Sequence, residues 1–542
     1  MHRLCLTASL SLVLSSCMLP DAHSADGVEV TVRLAAPDAL EVSYQLPAAC
    51  TTLAFQKNGP GAAKIRSRWQ TQDECGTAGA DKLERTQACP ALRFRVPATT
   101  DKVSGYPGSY PIGVAMYVHM SNYAVGTTCG PVEYRYAAPG IAMASAAFSD
   151  QTAATADAPA LLFTRPRPAG PEGLDYFDPA LTPASVAQIR SVANGTAAAL
   201  VAAMPRARFK RPILAAAIAS EPGGPNIAGS AGDVLLMSLL NWPAAPGAKE
   251  QRMLNKLVAH EMSHRFQLRD AVDVYPDARL IHEGGAEFLR WAVSLRKGWL
   301  TPQQAAAELD DALAACMLAT GERSWREMPA REIAANWLEY SCGLPAYVYA
   351  LAARQGKGTP FERIDAFYEQ LRAGGQPDLA QALECGATPC NARILPAILE
   401  GRGPMRDQWN AVLRNTGLAP ARAPSQAHID SMMSQAVTAL VKDDCQGQSS
   451  ITVAPASMLL DTLRTCKSLR SDVEVVRVEG LPLFGGERAL PAAVDACNKS
   501  KTVELGLKGG ATLRMPCRVP YQMTRRFPAV DMDKVLEKLA RP

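Results

Sequence analysis

Apolar and polar residues alternate with a period of two through Val28-Glu29-Val30-Thr31-Val32-Arg33-Leu34. The same alternation recurs in Leu40-Glu41-Val42-Ser43-Tyr44, Leu92-Arg93-Phe94-Arg95-Val96 and Gly113-Val114-Ala115-Met116-Tyr117-Val118. Successive strand side chains face opposite sides of a sheet, so the pattern predicts half-buried strands, with turns at the Pro, Gly and Asn residues between them. Residues 26–140 therefore read as an antiparallel β-sandwich. An Ala- and Pro-rich stretch, 141–182, reads as a connection. Beyond it the pattern changes. Pro212–Ile218 and Val234–Leu240 are short apolar runs that read as strands, after which the apolar period becomes helical over Pro302–Thr320, Ile333–Arg354, Phe361–Ala373 and Ile394–Leu418. From about 425 alternation returns: Val473–Gly480, a helix around Ala489–Asn498, then Thr502–Met515. The expected fold class is multidomain α+β, with a sandwich (26–140), a connection (141–182), a mixed and then helical domain (183–424) and a small C-terminal α+β domain (425–542).

Composition fits several cored domains: 542 residues, 48% of them hydrophobic, supply apolar material for three or four. A net charge of +4 without a dense Lys/Arg run gives no footprint for nucleic acid, so no nucleic-acid partner is expected. The first 25 residues read as a signal segment. Met1-His2-Arg3 is a short basic start, Leu4–Leu14 an apolar run too short to span a membrane, and Leu14-Ser15-Ser16-Cys17 fits a bacterial lipobox. Lipidation of Cys17 would anchor an exported protein to a membrane facing the periplasm; the alternative is cleavage near Ala22-His23-Ser24 and a soluble periplasmic product. Beyond Cys5 and Cys17, twelve cysteines fall into three groups of four, at 50–129, 316–390 and 445–517. Even counts in each group predict disulfides formed in an oxidising compartment, with the pairings open.

The densest chemistry lies in Val258-Ala259-His260-Glu261-Met262-Ser263-His264-Arg265-Phe266, followed by Leu280-Ile281-His282-Glu283-Gly284-Gly285-Ala286-Glu287-Phe288. Residues four apart share a helix face, so His260 and His264 can present two imidazoles to one metal ion with Glu261 beside it. Met253, Leu254, Leu257, Val258, Met262 and Phe266 recur at helical spacing, which makes the motif half of an amphipathic helix. Chance is a poor account, since three of the seven histidines of the chain fall in this stretch. Catalytic zinc takes three protein ligands and leaves a fourth position open; Glu283, with eighteen residues between it and His264, supplies the third, and Glu287 is the first alternative. His282 points about 100° away from Glu283 on a helix, so it lines the cleft or contacts another helix. The expected cofactor is Zn2+.

H-E-x-x-H, eighteen residues and a Glu in an E-G-x-A context resemble the gluzincin metallopeptidases, particularly their aminopeptidase branches, over residues about 210 to 355. The resemblance implies a thermolysin-like zinc domain closed by a helical lobe, and Ala228–Met237 is similar to the strand and loop along which substrate lies. Tyr340-Ser341-Cys342-Gly343 is similar to a Tyr-x-x-Gly segment whose tyrosine donates a hydrogen bond to the oxyanion; the alternative places Tyr340 in an aromatic core face with Trp337 and Tyr347. Glu287 matches the position of a carboxylate that accepts from a ligating histidine, the alternative being an ordinary helix-paired glutamate. The motif that, in the families it resembles, holds a substrate's free amino group, of Gly-Met-Glu-Asn or Gly-Gly-x-Glu-His type, is absent from the sequence. The β-region resembles the domain preceding the zinc domain in glycyl aminopeptidases, and the strand, helix, hairpin order after 473 resembles the second half of a PDZ domain, a module that binds extended peptides.

Two functions follow as expectations. One is a zinc metallopeptidase acting on peptide or protein substrates in the cell envelope, with Glu261 taking a proton from the attacking water and passing it to the leaving amine. The other is an inactive gluzincin-like lipoprotein that binds a partner.

Overall fold

The computed structural model describes residues 27–56, 60–99, 109–119, 122–144, 147–154, 160–164, 175–220, 224–267 and 277–541. The signal segment, with Cys17 and the alternative cleavage site, lies outside the described residues. The chain divides into two compact units: the described residues up to Thr182 together with Pro212–Ala245, and Pro183–Arg211 together with the chain from Pro246 onward.

In the first unit the alternating segments are strands. Val28–Ala36 buries Val28, Val30, Val32 and Leu34 and turns its polar residues away from that core. It pairs antiparallel with Ala39–Gln45 and parallel with Val132–Ala144, within a nine-stranded sheet. Leu53 and Leu83, from a separate three-stranded sheet, join the same core. The expected connection is partly β-structure. Ala147–Ala154 pairs with Val132–Ala144, and Ala160–Thr164 runs between that strand and Ala115–His119. Ladder hydrogen bonds come from the backbone, so an Ala-rich composition does not forbid them, and Leu161, Leu162 and Phe163 are fully buried.

Ile213–Ala219 and Val234–Leu240 pair in parallel inside a four-stranded sheet whose order is Tyr176–Phe177, Ile213–Ala219, Val234–Leu240, Asn226–Ser230. The uninterrupted burial of Val234–Leu240 is that of a strand covered on both faces. These strands belong to the first unit, not, as expected from the sequence, to the domain that carries the histidines. The segment Ala228–Met237 is split accordingly, its first half on the edge strand and its second half in the interior.

The second unit is mostly helical, and one continuous core runs through it from Leu200 to Val535. A boundary near 424 is therefore not seen. Ala421–Arg422 pairs with Phe527–Pro528, the Val530 amide donates to Asp310 Oδ1 (2.8 Å), and the Arg354 guanidinium donates to the Lys538 carbonyl (2.8 Å). These contacts fasten the C-terminal segment to residues over a hundred positions earlier. Its main sheet runs Ile451–Ala454, Ser457–Leu460, Val473–Val478, Thr502–Leu507, Thr512–Pro516, with the helix Ala489–Ser500 between the third and fourth strands in sequence. Two expected long helices are interrupted. Ile394–Leu418 splits into Ile394–Leu399 and Met405–Thr416, and Ile333–Arg354 falls into Ala330–Ala335, Leu338–Ser341 and Gly343–Ala352, broken where Trp337 takes a left-handed backbone (φ +54°).

Among the described residues, disulfides join Cys50–Cys129, Cys75–Cys89, Cys316–Cys342, Cys385–Cys390, Cys445–Cys466 and Cys497–Cys517. Each stays within one of the three predicted groups.

Candidate metal centre

The helix Ala248–His264 begins with the Gly247 amide donating to the Glu250 carboxylate (2.9 Å), and it buries Leu254, Leu257, Val258 and Met262. Its apolar stripe fixes its rotation, so the last two turns bring His260 and His264 to one side. Their rings stand 4.6 Å apart and nearly perpendicular, with the Nε2 atoms separated by 3.0 Å. Glu283 Oε2, itself shielded from solvent, lies 3.3 Å from each of these nitrogens. Ligands about 2.0–2.2 Å from a tetrahedral zinc stand about 3.4 Å from one another, so these three donor atoms fit the ion. The chemistry of the set, two imidazoles and a carboxylate, fits as well.

Glu283 arrives on a different kind of segment. Leu280–Gly284 is a π-turn that runs directly into the helix Gly285–Arg296. The wider turn leaves the Ile281 carbonyl to accept from the Tyr347 hydroxyl (3.0 Å) and the Tyr368 hydroxyl (3.2 Å). Gly284 lies against Gly343 so closely that a Cβ on Gly284 would stand 2.7 Å from the Gly343 Cα. Both positions require glycine.

The outer nitrogens of the two histidines meet different groups. His260 Nδ1 lies 2.9 Å from Glu287 Oε1, while the other oxygen of Glu287 accepts from Arg290 (2.5 Å). Arg290, 1% exposed, also pairs with Glu308. His264 Nδ1 lies 2.8 Å from Gln267 Oε1. His282 stacks its ring on His264 at 4.1 Å and is not among the three converging donors, in line with its direction on a helix.

Electrostatics follow from this crowding. Burial opposes charge on His260, but Glu283 and Glu287 outweigh it and raise the imidazole to about 10. Burial likewise opposes charge on Glu283, and hydrogen bonds from His260 and His264 hold its carboxyl well below the usual range. Burial raises Glu261, and the two histidines counter the rise. Tyr340, on the short helix Leu338–Ser341, has its ring 5.6 Å from that of His260 and 5.4 Å from that of Trp337. Burial and then the charge of Glu283 push its phenol far up, so it keeps its proton and can donate. Tyr347, which shared the packing alternative with it, is turned to the Ile281 carbonyl instead.

The structure thus brings His260, Glu261, His264, Glu283, Glu287 and Tyr340 together. Gln267, Arg290 and Tyr368 join them without having been found from sequence. Arg290 left a signal, a cation three residues after Glu287 amid apolar neighbours; Tyr368 left none.

No family model matches the chain, and no curated protein does. Among solved structures it is similar to an M1 zinc metallopeptidase from Deinococcus radiodurans at 15% identity, over 69% of this chain and 92% of that one, with a TM-score of 0.39. It is also similar to the aminopeptidase N family protein from Idiomarina loihiensis at 11% identity, over 95% of this chain and 100% of that one, with a TM-score of 0.55. The second of these likenesses shows a shared fold, so the His-His-Glu cluster sits in a chain built like an aminopeptidase N family protein.

Proposed function

We propose that this protein is a zinc-dependent metallopeptidase acting on peptides or proteins in the cell envelope. The observation that carries the reading is the convergence of His260 Nε2, His264 Nε2 and Glu283 Oε2 on one point, with Glu261 buried beside it. Those three residues would hold zinc. When bound, zinc supplies Lewis-acid polarisation of a carbonyl and makes water acidic enough to deprotonate near neutrality.

Glu261 is the general base. Its buried carboxylate takes a proton from the attacking water and hands it to the leaving amine. Tyr340 donates a hydrogen bond to the carbonyl oxygen as charge develops there. Glu287 accepts from the Nδ1 proton of His260, which leaves the Nε2 lone pair free to bind metal, and Arg290 keeps Glu287 ionised. Export, with lipidation at Cys17, completes the proposal; it is supported by the basic and apolar start of the chain and by the disulfides. The C-terminal segment is assigned to peptide binding in the manner of a PDZ domain, supported by its strand, helix, hairpin order.

The second reading, an inactive binding lipoprotein, is favoured by one observation, the missing motif for a substrate's free amine. Metal analysis and a peptide-library assay with and without chelator separate the two. One zinc per chain and chelator-sensitive cleavage support the peptidase; zinc without cleavage favours the binding protein, and no zinc removes the metal site.

A further inference from the structure

Gln267 sits just past the end of the histidine helix and is 7% exposed. Its amide nitrogen lies 3.0 Å from the His282 carbonyl and 2.7 Å from the Tyr368 hydroxyl. A carbonyl oxygen can only accept, so the nitrogen of the amide has to face His282, and the oxygen has to face His264 Nδ1 at 2.8 Å. Oε1 then accepts from Nδ1–H. A neutral imidazole with its proton on Nδ1 presents its lone pair from Nε2, the atom aimed at Glu283 and His260. The far end of the amide is held in turn: Tyr368 donates to the Ile281 carbonyl, so its oxygen is free to accept from Gln267.

One amide therefore touches both segments that carry the three donors. Through Oε1 it orients His264, and through Nε2 it grips the backbone of His282, the residue before Glu283. The space it occupies is kept open by Gly285, where a Cβ would stand 2.6 Å from the Gln267 nitrogen and 3.0 Å from the Tyr368 hydroxyl. We propose that Gln267 is a positioning residue of the metal centre, which fixes the tautomer of His264 and sets the Glu283 turn in register with the histidine helix. The inference rests on the reading that His260, His264 and Glu283 hold a metal.

The test is zinc affinity, measured by chelator competition on the full chain, with the melting temperature of the metal-free protein and 15N histidine spectra of the zinc-loaded protein. Gln267→Leu removes the acceptor at similar size and is expected to weaken zinc about 10–100-fold, the usual effect of losing a group that orients a ligand. Gln267→Glu keeps an acceptor for Nδ1–H but sets an oxygen against the His282 carbonyl, and is expected to recover part of the affinity. The spectra are expected to show His264 protonated on Nδ1 in the wild type. Unchanged affinity in Gln267→Leu, an equal loss in Gln267→Glu, or a proton on Nε2 would overturn the proposal. Should Gln267→Leu fail to fold, Gln267→Met removes the acceptor on an unbranched side chain and is expected to weaken zinc about 10–100-fold; no change there overturns it too. A wild type that binds no zinc would instead sink the reading beneath it.

Discussion

The two segments that meet at the metal centre reach it by different means. The helix Ala248–His264 delivers His260 and His264 by regular spacing, and the hydrogen bonds that shape it are local. The turn Leu280–Gly284 delivers Glu283 from a π-helical backbone whose Ile281 carbonyl is taken up by tyrosines 66 and 87 residues away. A glycine from a third helix fills the space beside it. A ligand pair set by helical repeat tolerates change elsewhere in the protein, whereas a ligand set by a turn inherits every fault in the residues that brace it.

The largest effects are expected at the ligands themselves. His260→Ala or His264→Ala is expected to abolish zinc binding, and Glu283→Ala to weaken it, as measured by metal content after gel filtration. Unchanged content in both histidine variants would reject the assignment. Glu261→Gln, on the same helix but with no place in the ligand set, is expected to keep zinc and lose about 10²–10⁴-fold in peptide turnover. Wild-type turnover in that variant would remove Glu261 as the base. Tyr340→Phe deletes one donor to the developing oxyanion and is expected to cost roughly 2.7–4 kcal/mol in kcat, again with zinc retained. A variant that loses metal instead would make Tyr340 a packing residue.

Two smaller perturbations act on the braced turn. Gly284→Ala forces a methyl towards the Gly343 backbone and is expected to destabilise by about 1–3 kcal/mol in denaturant unfolding, with weaker zinc binding. Stability equal to wild type would show that the two backbones can separate freely. Tyr347→Phe removes one of the two donors to the Ile281 carbonyl, and about 0.5–1.5 kcal/mol of stability is expected to go with it. A larger loss would mean that Tyr368 cannot satisfy that carbonyl alone.

The same contrast explains what could be read from the chain. His260, Glu261 and His264 were legible because a fixed helical repeat turns sequence spacing directly into direction. Glu283 and Glu287 were legible through the glycine-flanked segment around them, although the π-turn that aims Glu283 was not. Gln267 and Tyr368 are 101 residues apart, and nothing in their neighbours marks them as partners. The break at Trp337 was hidden because the apolar period continues across it while one backbone angle reverses. The strand Ala147–Ala154 was masked by the Ala-rich sequence around it, since sheet pairing is made by the backbone. Long-range ties leave no local mark either, as where the Val530 amide donates to Asp310, 220 residues earlier.

The order of the cysteines has a consequence for biogenesis. In the helical unit Cys316–Cys342, Cys385–Cys390, Cys445–Cys466 and Cys497–Cys517 each join neighbours in sequence, so an oxidase acting on an emerging chain makes the native bond whenever it closes the next available pair. In the sheet unit Cys75–Cys89 is nested inside Cys50–Cys129, and closing neighbours in order from Cys50 would give Cys50–Cys75 and Cys89–Cys129, both wrong. Thiol–disulfide exchange through a mixed disulfide is the route back from such a pairing. Oxidation of this chain would therefore make unequal demands on the two units, simple closure of neighbours for the helical one and exchange among alternative pairings for the sheets.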